Sequence, residues 1–312
     1  MLGTEKTYTY TTFGLMVESE LPLPELEKAK DNERVVDLTI TKKDLSIDWS
    51  KINPLNRTGF VVEGNRVMFE VPSLAVFSIE EGKTITFSSC ESYNEDKVRL
   101  YILGSCLGIL LMQRKVLPLH GSAIAIDGKA YAFIGESGAG KSTLASSFVN
   151  KGYKLLSDDV VAISLMEENQ PFVIPSYPQQ KLWQESLNAF GMNSTDYQPL
   201  FDRMTKFSVP VQVDFYNLPL PLGGIFELTG ADIEAIDLQA IENLHRFQVL
   251  HMHTYRRSLI ERMHMMDWHF KICAKCINSV PIYRLSRPTS TFTAHDLVAT
   301  VLSIIKGGKI ND

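Results

Sequence analysis

The sequence lacks several features that would assign it to a specialised class of protein. Its 312 residues include only four cysteines, too few for a disulfide framework, so we expect a reduced, cytoplasmic protein. No basic segment followed by an apolar core opens the chain, and we therefore expect no secretory signal. The most apolar run, residues 100–112, is too short to cross a bilayer and predicts a buried helix. There is no internal repeat and no low-complexity tract.

Excess charge of either sign is also scarce. The chain has 36 acidic and 31 basic side chains, giving a formal net charge of −5. This balance gives no sign of a broad nucleic-acid-binding surface. A composition of 45% hydrophobic and 21% charged residues is typical of a globular protein with one large domain or two ordinary ones. We therefore expect neither a nucleic-acid partner nor a membrane partner.

The order of patterns along the chain predicts a β-rich module followed by an α/β domain. Strand-forming residues dominate the first hundred positions, and hairpin turns are indicated at Glu63-Gly64-Asn65 and at Glu81-Gly82. A helical pattern begins near residue 96, and Asp127-Gly128 then predicts a further hairpin. The second half mixes strand and helix patterns. We therefore place the β-rich module at residues 1–95 and the α/β domain at residues 96–312.

A phosphate-binding loop (P-loop, Walker A) follows this last hairpin. The segment GESGAGKS fits G-x-x-x-x-G-K-[ST] at every fixed position, with the strand YAFI before it and the helix STLASSFVNK after it. Its glycines allow backbone N–H groups to surround phosphate oxygens. Lys141 should reach the β- and γ-phosphates, and the Ser142 hydroxyl should bind Mg²⁺. The predicted nucleotide-binding residues are Gly135, Glu136, Ser137, Gly138, Ala139, Gly140, Lys141, Ser142 and Thr143.

Two neighbouring aspartates and a histidine flank the loop. Asp158 and Asp159 lie within the strand-like run YKLLSDDVVAI, where successive side chains point to opposite faces. One carboxylate can support Mg²⁺, and the second suits a general base that accepts a proton from a hydroxyl. The alternative is one magnesium partner beside one surface or capping aspartate. His120 precedes the hairpin, and its spacing alone does not distinguish a catalytic role from a structural one.

Taken together, these features resemble the catalytic domain of bacterial HPr serine kinase/phosphorylase. The similarity comprises a histidine before the hairpin, the loop itself, and Lys-Gly followed by the aspartate pair. The resemblance implies an α/β P-loop catalytic domain of the HPr-kinase type after a small β-rich N-terminal domain. It implies ATP and Mg²⁺ as cofactors, Asp159 as proton acceptor, and His120 and Lys141 as active-site residues. It also implies Ser142 as a Mg²⁺ ligand supported by Asp158, and it admits a homo-oligomer.

Segments outside the loop look like a narrower branch of that family. FGLMVESELPLPEL, PSYPQQKLW, HTYRRSLI and VPIYRLSRP resemble the HPr-kinase-like enzymes of lasso-peptide gene clusters, of the paeninodin type. Those enzymes phosphorylate the C-terminal serine of a precursor peptide. The likeness extends over residues 13–305, but Gln179 or Gln180 stands where relatives carry arginine, a contact that Lys181 could replace. The segments that give true HPr kinases a further metal ligand and phosphorylase activity are not recognisable here.

A kinase site needs cations beyond the P-loop lysine, because charge spreads over the transferred phosphoryl group. The candidates for phosphate or substrate contact are Arg203, Lys206, Arg256 and Arg257. Each also fits an ordinary surface charge, and the resemblance favours Lys206 and Arg256.

One further cluster could bind a metal. His269, Cys273 and Cys276 have the spacing of one helix face, which would suit zinc. A single triplet without a second ligand pair favours a helix core instead.

The sequence therefore predicts an ATP-dependent serine kinase acting on a lasso-peptide precursor. Two alternatives stay open: a kinase for HPr or another folded protein, and a nucleotide-binding regulatory switch without transfer activity. The aspartate pair favours a kinase, because a pure switch needs no base for a hydroxyl.

Overall fold

The computed structural model describes residues 6–30, 34–55, 58–90, 93–200 and 205–308. Its packing defines two compact units, Met1–Val116 with Ser258–Trp268, and Leu117–Arg257 with His269–Asp312. The first unit therefore extends beyond the module boundary predicted at residue 95. The physical reason is aromatic packing, since Tyr101 of the helical segment contacts Phe69 and Phe77 of the N-terminal sheet.

The first unit contains an eight-stranded sheet with the order β3-β1-β2-β4-β8-β7-β6-β5. Its strands are β1 (Tyr8–Thr12), β2 (Leu15–Ser19), β3 (Glu27–Lys28), β4 (Leu38–Lys42), β5 (Phe60–Glu63), β6 (Arg66–Val71), β7 (Ala75–Glu80) and β8 (Thr84–Ser89). Its first helices are α1 (Ser46–Ile52), α2 (Glu95–Tyr101) and α3 (Leu107–Gln113), the last two joined by a π-helical turn, Ile102–Cys106.

Both predicted hairpins of this unit are confirmed. Strands β5 and β6 pair antiparallel around Gly64, and β7 and β8 pair antiparallel around Glu81 and Gly82. Gly64 has φ 57°, and Glu81 and Gly82 have φ 52° and 66°. Glycine adopts these left-handed angles at little cost, which explains its place in both turns.

The second unit contains a mixed sheet of eight strands and a separate antiparallel sheet of three strands. Its strands are β9 (Leu117–Ile126), β10 (Lys129–Ile134), β11 (Lys154–Ser157), β12 (Val160–Leu165), β13 (Pro171–Ile174), β14 (Gln179–Trp183), β15 (Gln198–Pro199), β16 (Lys206–Pro210), β17 (Leu220–Ala231), β18 (Asp237–Ala240) and β19 (Ile282–Pro288). The remaining helices of the described residues are α4 (Lys141–Asn150), α5 (Gln184–Ala189), α6 (Leu244–Met252), α7 (Ser258–Arg262), α8 (Met266–Ser279) and α9 (Ala294–Ile305). Of these, α7 and the first three residues of α8 belong to the first unit.

Two long strands of this mixed sheet place the P-loop. The first half of β9 pairs with β12, and its second half pairs with β10 across the predicted Asp127-Gly128 hairpin, which is confirmed. On its other side β10 pairs in parallel with β17, which also pairs in parallel with β19. The P-loop strand therefore has one antiparallel and one parallel neighbour. It differs from a simple βαβ sheet, as the hairpin pattern predicted.

The core of the second unit lies beneath the P-loop helix. Phe133 of β10, Phe148 of α4 and Phe226 of β17 are fully buried together, and Val298 of α9 belongs to the same cluster. Burying a large apolar side chain contributes about 1.5–3 kcal/mol. Gly152 follows α4 with φ 87°, the left-handed conformation that commonly ends a helix. This packing holds the first turn of α4, and hence the loop before it, at the end of the sheet.

Over the described parts of the chain, no helix is long and apolar enough to span a membrane.

Candidate active site

The P-loop connects β10 to α4, and its glycines are required by its backbone. Gly135 has φ 154°, and a Cβ atom at this position would lie 2.4 Å from the Leu228 carbonyl oxygen. Gly138 and Gly140 have φ 88° and 105°, and Gly140 is the N-cap residue of α4. Side chains are strained at such angles. The loop thus leads into the first turn of α4, whose backbone N–H groups can bind an anion.

Lys141 lies over this loop. Its Nζ donates to the Glu136 carbonyl oxygen at 2.8 Å, and the residue is only 7% exposed. Burial lowers the pKa of Lys141 to about 8, although the neighbouring Asp158 and Asp159 carboxylates oppose this shift. An ammonium group held in this way can exchange its loop carbonyl for phosphate oxygens.

The two aspartates lie at a break between strands, so the prediction of one continuous strand through them is wrong. Strand β11 ends at Ser157 and β12 begins at Val160. Asp159 adopts φ 74°, a left-handed angle that extended strand backbone does not have. The Ser157 hydroxyl donates to the Val160 carbonyl oxygen across the break. This local turn gives the two carboxylates different surroundings.

Asp158 is buried and faces the start of α4. Its Oδ1 accepts hydrogen bonds from Ser142 Oγ at 2.9 Å and from Ser122 Oγ at 2.5 Å. Its Oδ2 accepts the backbone N–H of Lys181 at 2.8 Å. The adjacent oxygens of Ser142 and Asp158 are the hard donors that Mg²⁺ prefers, and Mg²⁺ at a phosphate site needs only one or two protein ligands. These two residues therefore fit a magnesium ion bound together with a nucleotide.

Asp159 pairs with a lysine and lies beside the histidine. Lys181 Nζ is 2.6 Å from Asp159 Oδ2, and His120 Nδ1 is 3.7 Å from Asp159 Oδ1. Burial disfavours the Asp159 carboxylate, but the charge of Lys181 outweighs it and holds the pKa of Asp159 far below its usual range. Burial likewise disfavours the Lys181 ammonium, and Asp159 raises the pKa of Lys181 well above its usual range. Both groups are therefore charged at neutral pH.

His120 is the last residue of β9 that pairs with β12, directly before the residues that pair with β10 on the opposite edge. Its Nδ1 is 3.0 Å from the Asp159 carbonyl oxygen. Burial lowers the pKa of His120, and the charge of Lys141 lowers it further, despite the opposing carboxylate of Asp159. A neutral imidazole at this position can donate or accept one hydrogen bond to an incoming group.

One cavity of about 820 Å³ brings these groups together. Its lining includes the P-loop, His120 and Asp159, and its size is that of an ordinary ligand site. On the side of α4 that carries Thr143, the wall includes Ser186 of α5 and Phe292 before α9. Thr143 Oγ1 and Ser186 Oγ are 2.8 Å apart. The cavity therefore extends from the aspartate–histidine end past the loop toward α5.

The structure places only some of the predicted cations at the cavity. Lys206 and Arg256 both line the cavity, and Arg256 adopts φ 53°. Lys206 Nζ lies 5.4 Å from the ring centroid of Trp183, a cation–π distance. The guanidinium of Arg257 contacts Met252 Sδ instead. Arg203 lies outside the described residues.

Arg287 is a cation that sequence reasoning did not single out. It belongs to β19, and its Nε donates to the carbonyl oxygen of Ala139 in the P-loop at 2.9 Å. The two residues lie 148 positions apart, so no local spacing could indicate the contact. Arg287 also lines the 820 Å³ cavity, which adds a guanidinium beside Gly140.

A buried carboxylate, Glu227 in β17, was also missed. It accepts from Arg284 Nε at 2.8 Å, and its other oxygen lies 2.9 Å from His253 Nε2. Its sequence signal is a charged residue within the apolar strand GGIFEL, because charged side chains are seldom buried without partners.

The possible zinc triplet forms part of a helix core. His269 Nε2 lies 2.8 Å from Thr254 Oγ1, and burial lowers the pKa of His269 to about 4. Burial raises the pKa of Cys276 to about 12 and also raises that of Cys273, so both side chains are thiols in this helix core. Within the described ranges, no group of three or more His, Cys, Asp or Glu side chains could hold a metal ion.

Known proteins resemble part of this chain. The HPr kinase/phosphorylase of Mycoplasmopsis pulmonis is 39% identical over 70 residues, 22% of this chain and 23% of that protein. The HPr kinase/phosphorylase of Chloroherpeton thalassium is 25% identical over 124 residues, 39% of this chain and 35% of that protein. Part of the chain is thus related by sequence to HPr kinase/phosphorylases, although it spans only about a quarter to a third of the length of these relatives. No family model matches the chain.

The structure of the Hpr(Ser) kinase/phosphatase from Coxiella burnetii shares 12% identity and covers 61% of this chain and 95% of that chain. The TM-score of this comparison is 0.32.

Proposed function

We propose that the protein is an ATP-dependent serine kinase that phosphorylates the C-terminal serine of a lasso-peptide precursor. The observation that carries this proposal is one cavity lined by a P-loop, Lys141, His120 and a half-buried, charged Asp159. A site that only binds and releases nucleotide has no need of a carboxylate facing the phosphate end of the cavity. The sequence relatives named HPr kinase/phosphorylase support a kinase activity.

In this proposal the loop and Lys141 hold the triphosphate, and Lys206, Arg256 and Arg287 contribute positive charge around the transferred group. The serine oxygen bonds to the γ-phosphorus while the bond between that phosphorus and the bridging oxygen of ADP breaks. The serine proton passes to Asp159. Positioning and electrostatic stabilisation supply most of the acceleration, since the transition state of phosphoryl transfer is loose.

The low pKa of Asp159 fits a late proton transfer. A carboxylate held ionised by Lys181 is a weak base, and it would remove little of the proton before the phosphoryl group has moved. A loose transition state requires little deprotonation of the nucleophile. Asp159 would therefore orient the serine hydroxyl as a hydrogen-bond acceptor first and take the proton afterwards, with neutral His120 beside it.

Ser142 and Asp158 would hold Mg²⁺ in the loaded enzyme. When bound, the ion supplies positive charge to the β- and γ-phosphates. The role of Asp158 is to keep the Ser142 hydroxyl in place through their 2.9 Å hydrogen bond.

The second candidate is a kinase for HPr or another folded protein, favoured by the names of the sequence relatives. The peptide acceptor is favoured by the segments outside the P-loop that resemble lasso-peptide kinases. A mass-spectrometric assay distinguishes the two candidates. The protein is incubated with ATP and Mg²⁺, with a serine-ended precursor peptide and HPr as parallel acceptors.

We expect the peptide to gain one phosphate, about 80 Da, on its terminal serine. The same peptide with alanine at its C-terminus should gain nothing, and Lys141→Ala should abolish transfer. Phosphate on HPr alone would replace the peptide proposal with the second candidate. Bound ATP with neither acceptor modified would contradict both kinase proposals and favour the regulatory switch.

A further inference from the structure

A short segment, residues 252–256, runs beside the half of β9 that carries His120. The His120 backbone N–H donates to the His253 carbonyl oxygen at 2.8 Å. The Tyr255 backbone N–H donates to the Pro118 carbonyl oxygen, also at 2.8 Å. This segment therefore acts as a short additional strand that fixes the backbone of His120 on the edge of β9 not used by β12.

The same segment forms part of the cavity wall, because residues 252–256 all line it. Tyr255 and Arg256 line the 820 Å³ cavity, and the Arg256 guanidinium lies 5.4 Å from the Tyr255 ring centroid. The left-handed backbone of Arg256, with φ 53°, is held in place by the structure around it. Any shift of residues 252–256 would thus move His120 and Arg256 together.

The side chain of His253 anchors the segment to the sheet. It is 7% exposed, and its Nε2 lies 2.9 Å from Glu227 Oε1. Glu227 Oε2 accepts from Arg284 Nε at 2.8 Å. Burial opposes ionisation of Glu227, but the hydrogen bonds from His253 and Arg284 outweigh it and lower its pKa. An ionised carboxylate only accepts hydrogen bonds, so His253 Nε2 carries the proton and donates it.

Glu227 is linked to the 820 Å³ cavity through His253, which belongs to the lining of that cavity. Glu227 itself is absent from the lining of the 820 Å³ cavity and lies instead beside a second cavity of about 570 Å³. Each of its carboxylate oxygens has a hydrogen-bonding partner in this chain. Removing one partner of a buried, charge-assisted hydrogen bond leaves the other partner unsatisfied and destabilises the structure. The hydrogen bond between His253 and Glu227 therefore holds the His253 side chain in place.

We propose that Glu227 is a positioning residue of the active site. Through the His253 side chain it holds the backbone of residues 252–256, and this backbone in turn orients His120 and Arg256 toward the phosphate end of the cavity. The effect on catalytic rate rests on the proposed kinase function, whereas the effect on backbone order does not.

Hydrogen–deuterium exchange and kinetics on the full chain test this inference. The variants are Glu227→Ala and Glu227→Gln, with Glu234→Gln as a matched control at an exposed position. In Glu227→Ala we expect exchange at the His120 and Tyr255 amides to accelerate about tenfold or more, because the segment opens more readily. Exchange in the core of α4 should stay unchanged, which separates a local effect from general unfolding.

The kinetic expectation is a split between turnover and binding. Glu227→Ala should lower kcat by about tenfold to a hundredfold, as expected for a misplaced catalytic group, with ATP affinity within about twofold of the parent. Glu227→Gln should recover part of the loss, because its amide oxygen still accepts from His253. Combining Glu227→Ala with His253→Ala should add no further loss beyond that of the stronger single variant, since both changes break one contact.

Unchanged exchange at His120 and Tyr255 in Glu227→Ala would overturn the inference. So would a loss of ATP binding and protection throughout the unit, which would assign Glu227 to general stability. If Glu227→Ala does not fold, Glu227→Gln supplies the same readouts. If the parent protein phosphorylates no acceptor, the proposed function fails, while the exchange measurement still decides whether Glu227 orders the segment.

Discussion

Replacing Asp159 by asparagine tests the proposed base and perturbs a buried ion pair at the same time. Asp159 Oδ2 and Lys181 Nζ are 2.6 Å apart, with side-chain exposures of 19% and 9%. At this burial the pair belongs with buried ion pairs rather than with surface pairs, whose loss costs about 0–1 kcal/mol. Breaking a buried pair costs about 3–5 kcal/mol, because one charge stays buried without its counter-charge.

The lower end of that range applies here, since asparagine can still accept a hydrogen bond from Lys181. A loss of about 3 kcal/mol corresponds to a fall in Tm of roughly 6–12 °C for a unit of this size. The loss should be nearly constant at neutral pH. It should shrink below about pH 4, where an unfolded aspartate protonates and the stabilisation from the lowered Asp159 pKa begins to be lost.

A second variant separates stability from catalysis. Asp159→Asn combined with Lys181→Met removes both charges and should recover most of the lost Tm. Peptide phosphorylation should stay about 10²- to 10⁴-fold below the parent in both variants, the usual contribution of a general base. ATP binding should be retained. Calorimetry and the mass-spectrometric assay provide the measurements.

Two results would refute this reasoning. Parent-like turnover in Asp159→Asn, at a temperature where it is folded, would remove Asp159 from the proton-transfer step. Recovery of activity in the double variant would show that Asp159 serves only to neutralise Lys181.

Three further predictions concern the cavity and the P-loop. Burial lowers the pKa of Lys141 to about 8, and bound phosphate favours the charged form of this lysine, so ATP affinity should fall as the pH rises above 8. Titration calorimetry from pH 7 to 9.5 would detect the fall, and an affinity that does not change with pH would contradict the prediction. Gly135→Ala should abolish ATP binding, because its Cβ would overlap a backbone carbonyl. Gly138→Ala has open space around it and should cost only about 1–2 kcal/mol of backbone strain. Equal losses of ATP affinity in the two variants would contradict this steric explanation. Arg256→Ala should lower kcat about tenfold or more, because charge stabilisation is lost, whereas Arg257→Ala should keep a kcat close to that of the parent. Equal kcat values for the two variants in a steady-state assay would contradict the assignment of Arg256 alone to the cavity.

Short-range sequence patterns predicted the secondary-structure elements that position the P-loop. The hairpin at Asp127-Gly128 and the strand and helix around the P-loop depend on local turn chemistry and periodicity, and all are confirmed. The helix Ala294–Ile305 coincides with the segment AHDLVATVLSII, whose apolar residues recur at helical spacing. Such features depend on neighbouring residues along the chain, so the sequence alone carries them.

Contacts between distant residues were not predictable in this way. The turn at Asp159 depends on how β11 and β12 both pair with β9, and a strand pattern gave no sign of it. Likewise the roles of Arg287 and Glu227 follow from strand neighbours far away in sequence.

The sequence by itself determined that the chain has a phosphate-binding loop with a lysine, a hydroxyl and nearby carboxylates, because a fixed local spacing defines that motif. Only the tertiary structure decided which carboxylate faces Ser142 and which faces Lys181, and which of the candidate cations reach the cavity. The physical reason is that charge and burial at a site depend on side chains converging from separate strands. Sequence spacing does not measure those distances, and packing does.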